Sequence, residues 1–343
     1  MRTLALVLAV VVSAGAAGAA LLIVAPAPSK AIALAAIAAS ERSAFLVAAA
    51  LLALVLAVVG LGPGTRGPVV LATLFALSAI AIGIVPLVQA RHLARARGVS
   101  LDLGRYLHAR IDTEGPGEPD RTLTYARVQR PTIAVRREST PPGHDRALSL
   151  DVYLPPQRPS TPGRPLLVIH GGFWAAGERG EAALASRRLA DLGFTVFDVE
   201  YRISPQPNWQ TATGDVKCAI GWVKRHATTP DWNIDPTKLA LLGRSAGGHL
   251  ALMAAYTAHD RDLPPSCDAG DTSVESVIAL YAPTDLLWGY EHPANLRAAD
   301  SPAKLRAFLG GPPDLLGDRY RALSPTLRVT SAAPRTSRIA RGS

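Results

Sequence analysis

Two hydrophobic patterns divide the chain. Long uncharged apolar runs fill the first ninety residues, and short apolar runs separated by amphipathic stretches fill the remainder. Residues 3–29, 43–65 and 67–90 contain no charged side chain. About 20 apolar residues cross the hydrocarbon core as a helix, so each run is long enough. A helix is the expected form, because lipid offers backbone groups no outside hydrogen-bond partner. Pro26 and Pro28 end the first run and Gly62-Pro63-Gly64 ends the second. Pro86 lies near the end of the third, where a kink is tolerable. Residues 31–40 are apolar but too short to cross, and read as a lead-in or interfacial turn. A cleaved signal peptide is the alternative for the first run, since Arg2 precedes it and Ala14-Gly15-Ala16 resembles a cleavage site. Leu21-Leu22-Ile23-Val24 carries the run past that site, which favours a retained anchor. Three such runs in ninety residues argue against a soluble core.

Beyond them, residues 91–110 read as a basic helix leaving the bilayer and Gly115-Pro116-Gly117-Glu118-Pro119 as a linker. Strands are predicted over residues 123–128, 147–154, 165–169, 195–199, 238–242 and 274–280. Helices are predicted over 181–192, 212–226 and 245–259. A continuous apolar strand such as Leu166-Leu167-Val168-Ile169 suits the doubly covered centre of a parallel sheet. Strands alternating with helices imply an α/β layer architecture. The expected organisation is a membrane region over residues 1–100 with three transmembrane helices, a linker over 101–120, and an α/β domain over 121–343. No internal repeat at solenoid spacing is present.

Composition sharpens this division. The 343 residues are 48% hydrophobic and 18% charged, with a formal net charge of +9 and two cysteines, which excludes a disordered chain and a disulfide scaffold. Residues 1–100 hold seven basic side chains against the single acid Glu41, so most of the charge excess sits beside the apolar runs. That distribution points to a membrane surface as partner. No zinc-finger spacing and no basic run with interleaved aromatics occurs, so nucleic acid is not an expected partner. Arg2 and Arg66 fall on one side of the bilayer, and Lys30, Arg42, Arg91, Arg95, Arg97 and Arg105 on the other. The expectation is a multi-pass cell-membrane protein; the side that holds its C-terminal domain stays open, with the positive-inside rule favouring the cytoplasm. No His, Cys and carboxylate cluster has metal-ligand spacing, so neither metal nor cofactor is expected.

Gly243-Arg244-Ser245-Ala246-Gly247 follows the apolar strand Leu239-Ala240-Leu241-Leu242 and precedes a helical run. G-x-S-x-G between strand and helix is a nucleophile elbow: small flanking residues permit a strained turn that presents Ser245 at a helix N-terminus. His170-Gly171-Gly172 ends an earlier apolar strand. Such a loop can aim the amides of Gly171 and Gly172 at an oxyanion, with the Ala246 amide as the complementary donor. His170, Gly243 and Gly247 support the two motifs. Cys218 reads as helix-face packing and Cys267 as a loop residue, with no pairing implied. Trp174, Trp209 and Trp222 are candidates for an acyl pocket or for packing, and Glu200-Tyr201-Arg202 reads as fixing a loop near the site.

With His170–Trp174, Asp198–Arg202, Asp215–Ala219, Gly243–His249 and Tyr281–Asp285, the chain resembles α/β-hydrolases, and among them the carboxylesterases of the hormone-sensitive-lipase and feruloyl-esterase-like branch. The resemblance covers residues 147–325. Joined to membrane helices, such a domain is similar to actinobacterial membrane-anchored esterases. It implies an α/β-hydrolase fold, an ester substrate and two-step acyl transfer through Ser245.

The resemblance also implies an orienting acid and then a histidine after later strands. After Ser245 the histidines are His249, His259 and His292. His249 lies one helical turn past the serine and points away from its tip. After Asp318 there is neither a carboxylate side chain nor a histidine, and six arginines, Arg319 to Arg341, follow. The segment after Ala333 reads as having no strand, leaving the domain incomplete at its C-terminus. Asp285 and His292 remain as weak candidates for acid and base. The expectation is therefore a serine carboxylesterase-type hydrolase without an identified acid and histidine. The alternative is a non-catalytic, membrane-tethered pseudo-hydrolase remnant.

Overall fold

The computed structural model describes residues 2–24, 43–85, 117–128, 146–157, 161–230, 232–293 and 300–339, with positions 32, 35, 39, 88, 91 and 92. Most of the expected basic helix at 91–110 and part of the linker lie outside these residues. The chain divides into two units, Met1–Glu114 with Asn295–Asp300, and Gly115–Ala294 with Ser301–Ser343.

In the first unit, helices α1 (Arg2–Val24), α2 (Ser43–Val59) and α3 (Arg66–Gly83) pack on one another. Two are long and apolar enough to cross a membrane: α1, with mean hydropathy 2.6, and α3, with mean hydropathy 1.7. At 17 residues, α2 is shorter than the span expected for residues 43–65. Alanines fill the interior, among them Ala9, Ala20, Ala50, Ala53, Ala72 and Ala76, all fully buried. Large apolar side chains such as Leu4, Val11, Val55, Val58 and Leu74 face outward and are exposed. A bundle stabilised by water exclusion has the opposite arrangement. Small residues at helix contacts with large ones outside is the packing that close helix approach in lipid favours.

The second unit is built on a seven-stranded sheet. Its strands are β1 (Arg121–Val128), β2 (Arg146–Tyr153), β3 (Arg164–Ile169), β4 (Phe194–Val199), β5 (Ala240–Arg244), β6 (Ser276–Leu280) and β7 (Arg335–Ile339). They lie in the order β1-β2-β4-β3-β5-β6-β7. The β1–β2 and β2–β4 pairs are antiparallel, and every pair from β4 to β7 is parallel. Helices α4 (Ala183–Asp191), α5 (Trp209–Arg225), α6 (Ala246–Tyr256), α7 (Leu286–Glu291), α8 (Ser301–Leu309) and α9 (Pro313–Ala322) complete the unit. The central β3 buries all five residues after Arg164, as its unbroken apolar run predicts.

Three sequence-based expectations need correction. β5 begins at Ala240 rather than 238, because Asp235 accepts from the Thr237 amide (3.0 Å) and draws Pro236–Lys238 into a 3-10 turn. The segment after Ala333 does form a strand: Arg335–Ile339 pairs in parallel with β6 despite lacking an apolar run. Backbone pairing against an open edge needs no such run. Finally, Cys218 and Cys267 are not independent; they form a disulfide, with Cα atoms 5.7 Å apart.

Candidate active site

Ligand sites in open α/β sheets lie beyond the carboxyl ends of the strands. Three connections converge there, after β3, β5 and β6. Ser245 stands between β5 and α6 with φ 52° and ψ −122°, a conformation that L-residues rarely adopt. Its amide donates to the Leu280 carbonyl at the end of β6 (2.9 Å), and its carbonyl accepts from the His249 amide (3.0 Å). The turn is tight enough that a methyl group on Gly247 would overlap the carbonyls of Ile169 and His170. Glycine is therefore required where α6 crosses the end of β3.

The arm after β3 lies directly against this serine. A Cβ atom on Gly171 would stand 3.4 Å from Ser245 Cβ and 3.1 Å from the Arg244 carbonyl oxygen. Gly172 has φ +112°, and the next two residues, Phe173 and Trp174, have φ 55° and 57°. Among the described residues, the amides of Gly171, Gly172 and Ala246 donate to no acceptor. The arm is held from behind. Tyr201 donates its hydroxyl to the carbonyls of His170 (3.2 Å) and Gly171 (3.3 Å), and its ring stacks on His170 at 4.3 Å. His170 is buried, its Nδ1 is 2.7 Å from the Gly171 carbonyl, and burial lowers its pKa. The neighbouring Arg202 forms a buried ion pair with Asp215 (2.6 Å), and Glu200 accepts from the Ser149 amide (2.8 Å). Tyr201 thus braces the arm, while Glu200 and Arg202 tie the same segment to β2 and α5.

Ser245 and Ala246 line a cavity of about 410 Å³, walled by Phe173, Trp174, Tyr281, Trp288, His292 and Leu305. Trp209 and Trp222 do not line it. Trp209 edges a second cavity, and Trp222 packs against the core. Asp285 and His292 share the first cavity with Ser245, but each is engaged locally. Asp285 caps α7 by accepting from the Trp288 amide (2.9 Å), and His292 Nδ1 lies 3.1 Å from the Trp288 carbonyl. Among the described residues, Ser245 Oγ has no hydrogen-bond partner, and Asp285 does not hydrogen-bond to His292.

Residues 150–343 match the BD-FAE family, more than half of the chain. The chain belongs to the BD-FAE family. Among curated relatives of this BD-FAE protein, "Probable carboxylic ester hydrolase LipM" of Mycobacterium tuberculosis is 33% identical over 195 residues, covering 56% of this chain and 44% of that protein. "Esterase LipC" of the same organism is 33% identical over 221 residues, covering 63% and 53%. The chain thus spans about half the length of these relatives. A solved esterase from Thermogutta terrifontis, Est2, aligns over 66% of this chain and 70% of its own, with 22% identity and a TM-score of 0.46. The second unit has the α/β-hydrolase fold of its family, with a mostly parallel mixed sheet.

Proposed function

We propose that this protein hydrolyses carboxylic esters by acyl transfer through Ser245. One observation carries the reading: a serine at a left-handed strand-to-helix turn lines a cavity, next to three amides that are unpaired among the described residues. Ser245 Oγ attacks the ester carbonyl carbon, and the carbonyl π pair moves onto oxygen. The amides of Gly171, Gly172 and Ala246 donate to that oxyanion, and preorganised donors of this kind are worth about 2.7–4 kcal/mol each in related sites. Collapse of the tetrahedral species expels the alkoxide, which takes the proton that left Ser245 Oγ during the attack and departs as alcohol. Water then attacks the acyl-enzyme, releases the carboxylic acid and restores the serine.

His292 is the candidate base. A carbonyl only accepts, so in the neutral ring the contact with Trp288 O belongs to an Nδ1 proton, and Nε2 is the nitrogen that can take a proton. The anchor role rests on the alanine-filled, leucine- and valine-faced bundle of α1 to α3, which suits a lipid bilayer. Relatives named as esterases support an ester substrate.

A second reading, a tethered binder of acyl compounds without turnover, is favoured by the absence of any hydrogen bond from Ser245 Oγ among the described residues. A fluorophosphonate probe and p-nitrophenyl acyl esters separate the two. The hydrolase reading expects labelling and turnover that both vanish in Ser245→Ala, and turnover reduced about 10²–10⁴-fold in His292→Ala. A folded chain that neither labels nor turns over is the binder. Undiminished turnover in His292→Ala would assign the base elsewhere.

A further inference from the structure

One buried titratable side chain, which takes no part in the acyl transfer itself, joins the two halves of the site. His249 lies one turn into α6, fully buried. Its backbone amide is already tied to the Ser245 carbonyl (3.0 Å). Its ring reaches the other way: the Trp174 indole Nε1–H donates to His249 Nδ1 (3.2 Å), and His249 Nε2 lies 2.9 Å from the Leu323 carbonyl. An indole nitrogen only donates and a carbonyl only accepts. The two contacts therefore demand the same tautomer, with Nδ1 bare and Nε2 carrying the proton.

Trp174 needs such a hold. It sits two residues beyond Gly172 on the oxyanion arm, in the left-handed region at φ 57°, a conformation that persists only where the surroundings fix it. Three groups fix it. Phe308 of α8 stacks on the indole at 4.4 Å with planes 12° apart, Asn208 donates to the Trp174 carbonyl (2.8 Å), and His249 accepts from the indole. Of the three, His249 alone belongs to the helix that begins at the nucleophile.

We infer that His249 is a positioning residue, a latch that ties the oxyanion arm to the nucleophile helix through Trp174 and keeps the Gly171 and Gly172 amides aimed above Ser245. This rests on the acyl-transfer reading proposed above. His249 does not line the cavity, whereas Trp174 does, so the effect reaches the reaction through the arm. Among the described residues, the groups that contact the ring from the packed elements are Trp174, Phe308 and the Leu323 carbonyl, none of them charged.

Two variants of the full-length chain in detergent separate the two ring contacts. An asparagine side chain reaches the position of Nδ1, and a glutamine that of Nε2. His249→Asn keeps an acceptor for the indole, and its kcat is expected within about threefold of the parent. His249→Gln keeps a donor for Leu323 but loses that acceptor. A misaimed arm should cost less than the 10²–10³-fold of deleting an oxyanion donor, so the expected loss is about tenfold in kcat with KM little changed. Trp174→Phe should lose as much, and combining it with His249→Gln should add nothing further, the signature of one shared interaction. Parent-like kcat in both His249→Gln and Trp174→Phe overturns the latch, as does an Asn variant that falls as far as the Gln variant.

A readout independent of turnover is the ¹⁵N indole spectrum, in which Trp174 is identified by its loss in Trp174→Phe. The Trp174 resonance should shift in His249→Gln. In the parent it should titrate near pH 4, where burial places the His249 pKa. An unshifted resonance refutes the latch. Absence of turnover and probe labelling in the parent refutes the acyl-transfer reading instead.

Discussion

Removal of the Cys218–Cys267 bridge tests how the second unit is held together. The bridge joins α5 to the loop between α6 and β6 and spans 49 residues of chain. Cross-linking a loop of that length removes about 14 cal/mol/K of chain entropy from the unfolded state, or about 4 kcal/mol at 25 °C. Cys218→Ala with Cys267→Ala removes the cross-link without leaving a free thiol. All five tryptophans lie between Trp174 and Trp288, inside the second unit, so their fluorescence reports this unit by itself. With a urea slope of about 3 kcal/mol/M, the midpoint should fall by roughly 1.3 M. A shift below about 0.2 M would refute the stabilising role. Thiol alkylation before lysis adds a second reading. Disulfides persist in oxidising compartments, so two protected cysteines would place this unit outside the cytoplasm, against the expectation from the positive charges. Two alkylated ones would refute the bridge in the cell and support the charge argument.

The other expectations are more local. Gly247→Ala should force α6 away from the end of β3, because the added carbon meets two backbone carbonyls rather than a yielding side chain. A loss of about 1–3 kcal/mol in the same urea assay is expected, with probe labelling of Ser245 lost even where the fold survives. Burial pushes the Asp198 carboxyl up to about 7, partly opposed by its hydrogen bond from the Gly180 amide (3.2 Å). Between pH 4 and 7 the folded state therefore holds this proton more tightly than the unfolded one, and stability falls as pH rises, by about 4 kcal/mol over the interval. His249, held near 4, acts oppositely: its stability is complete above about 6.5 and is lost as pH falls towards 4. Asp198→Asn should thus raise the urea midpoint at pH 8 and unmask a stability that climbs between pH 4 and 6.5. A pH profile unchanged by the substitution would refute the assignment.

Much of the framework was legible because its signals are local. The apolar run of β3, the glycines flanking Ser245 and the His170-Gly171-Gly172 turn each state their conformation within a few residues. Other features were not, because they exist only once distant segments meet. Cys218 and Cys267 carry no pairing signal in their spacing. The position of His249 one turn past the serine is local, but its partner Trp174 lies 75 positions upstream. Asp285 and His292 looked like neighbours on one loop, whereas the six-residue helix α7 intervenes and its backbone engages both. β7 carries no aliphatic pattern, because Arg335-Thr336-Ser337-Arg338 joins the sheet through its main chain.

That last strand has a consequence for how copies of the protein meet. Without it, the aliphatic β6, with Val277, Ile278 and Ala279, would form the border of the sheet. Laid alongside, β7 gives the sheet a polar hem whose first residue, Arg335, is exposed to solvent. Among the described residues, a strand that approaches this side meets the exposed Arg335 and Thr336 instead of Val277, Ile278 and Ala279, a polar border that disfavours edge-to-edge pairing between copies.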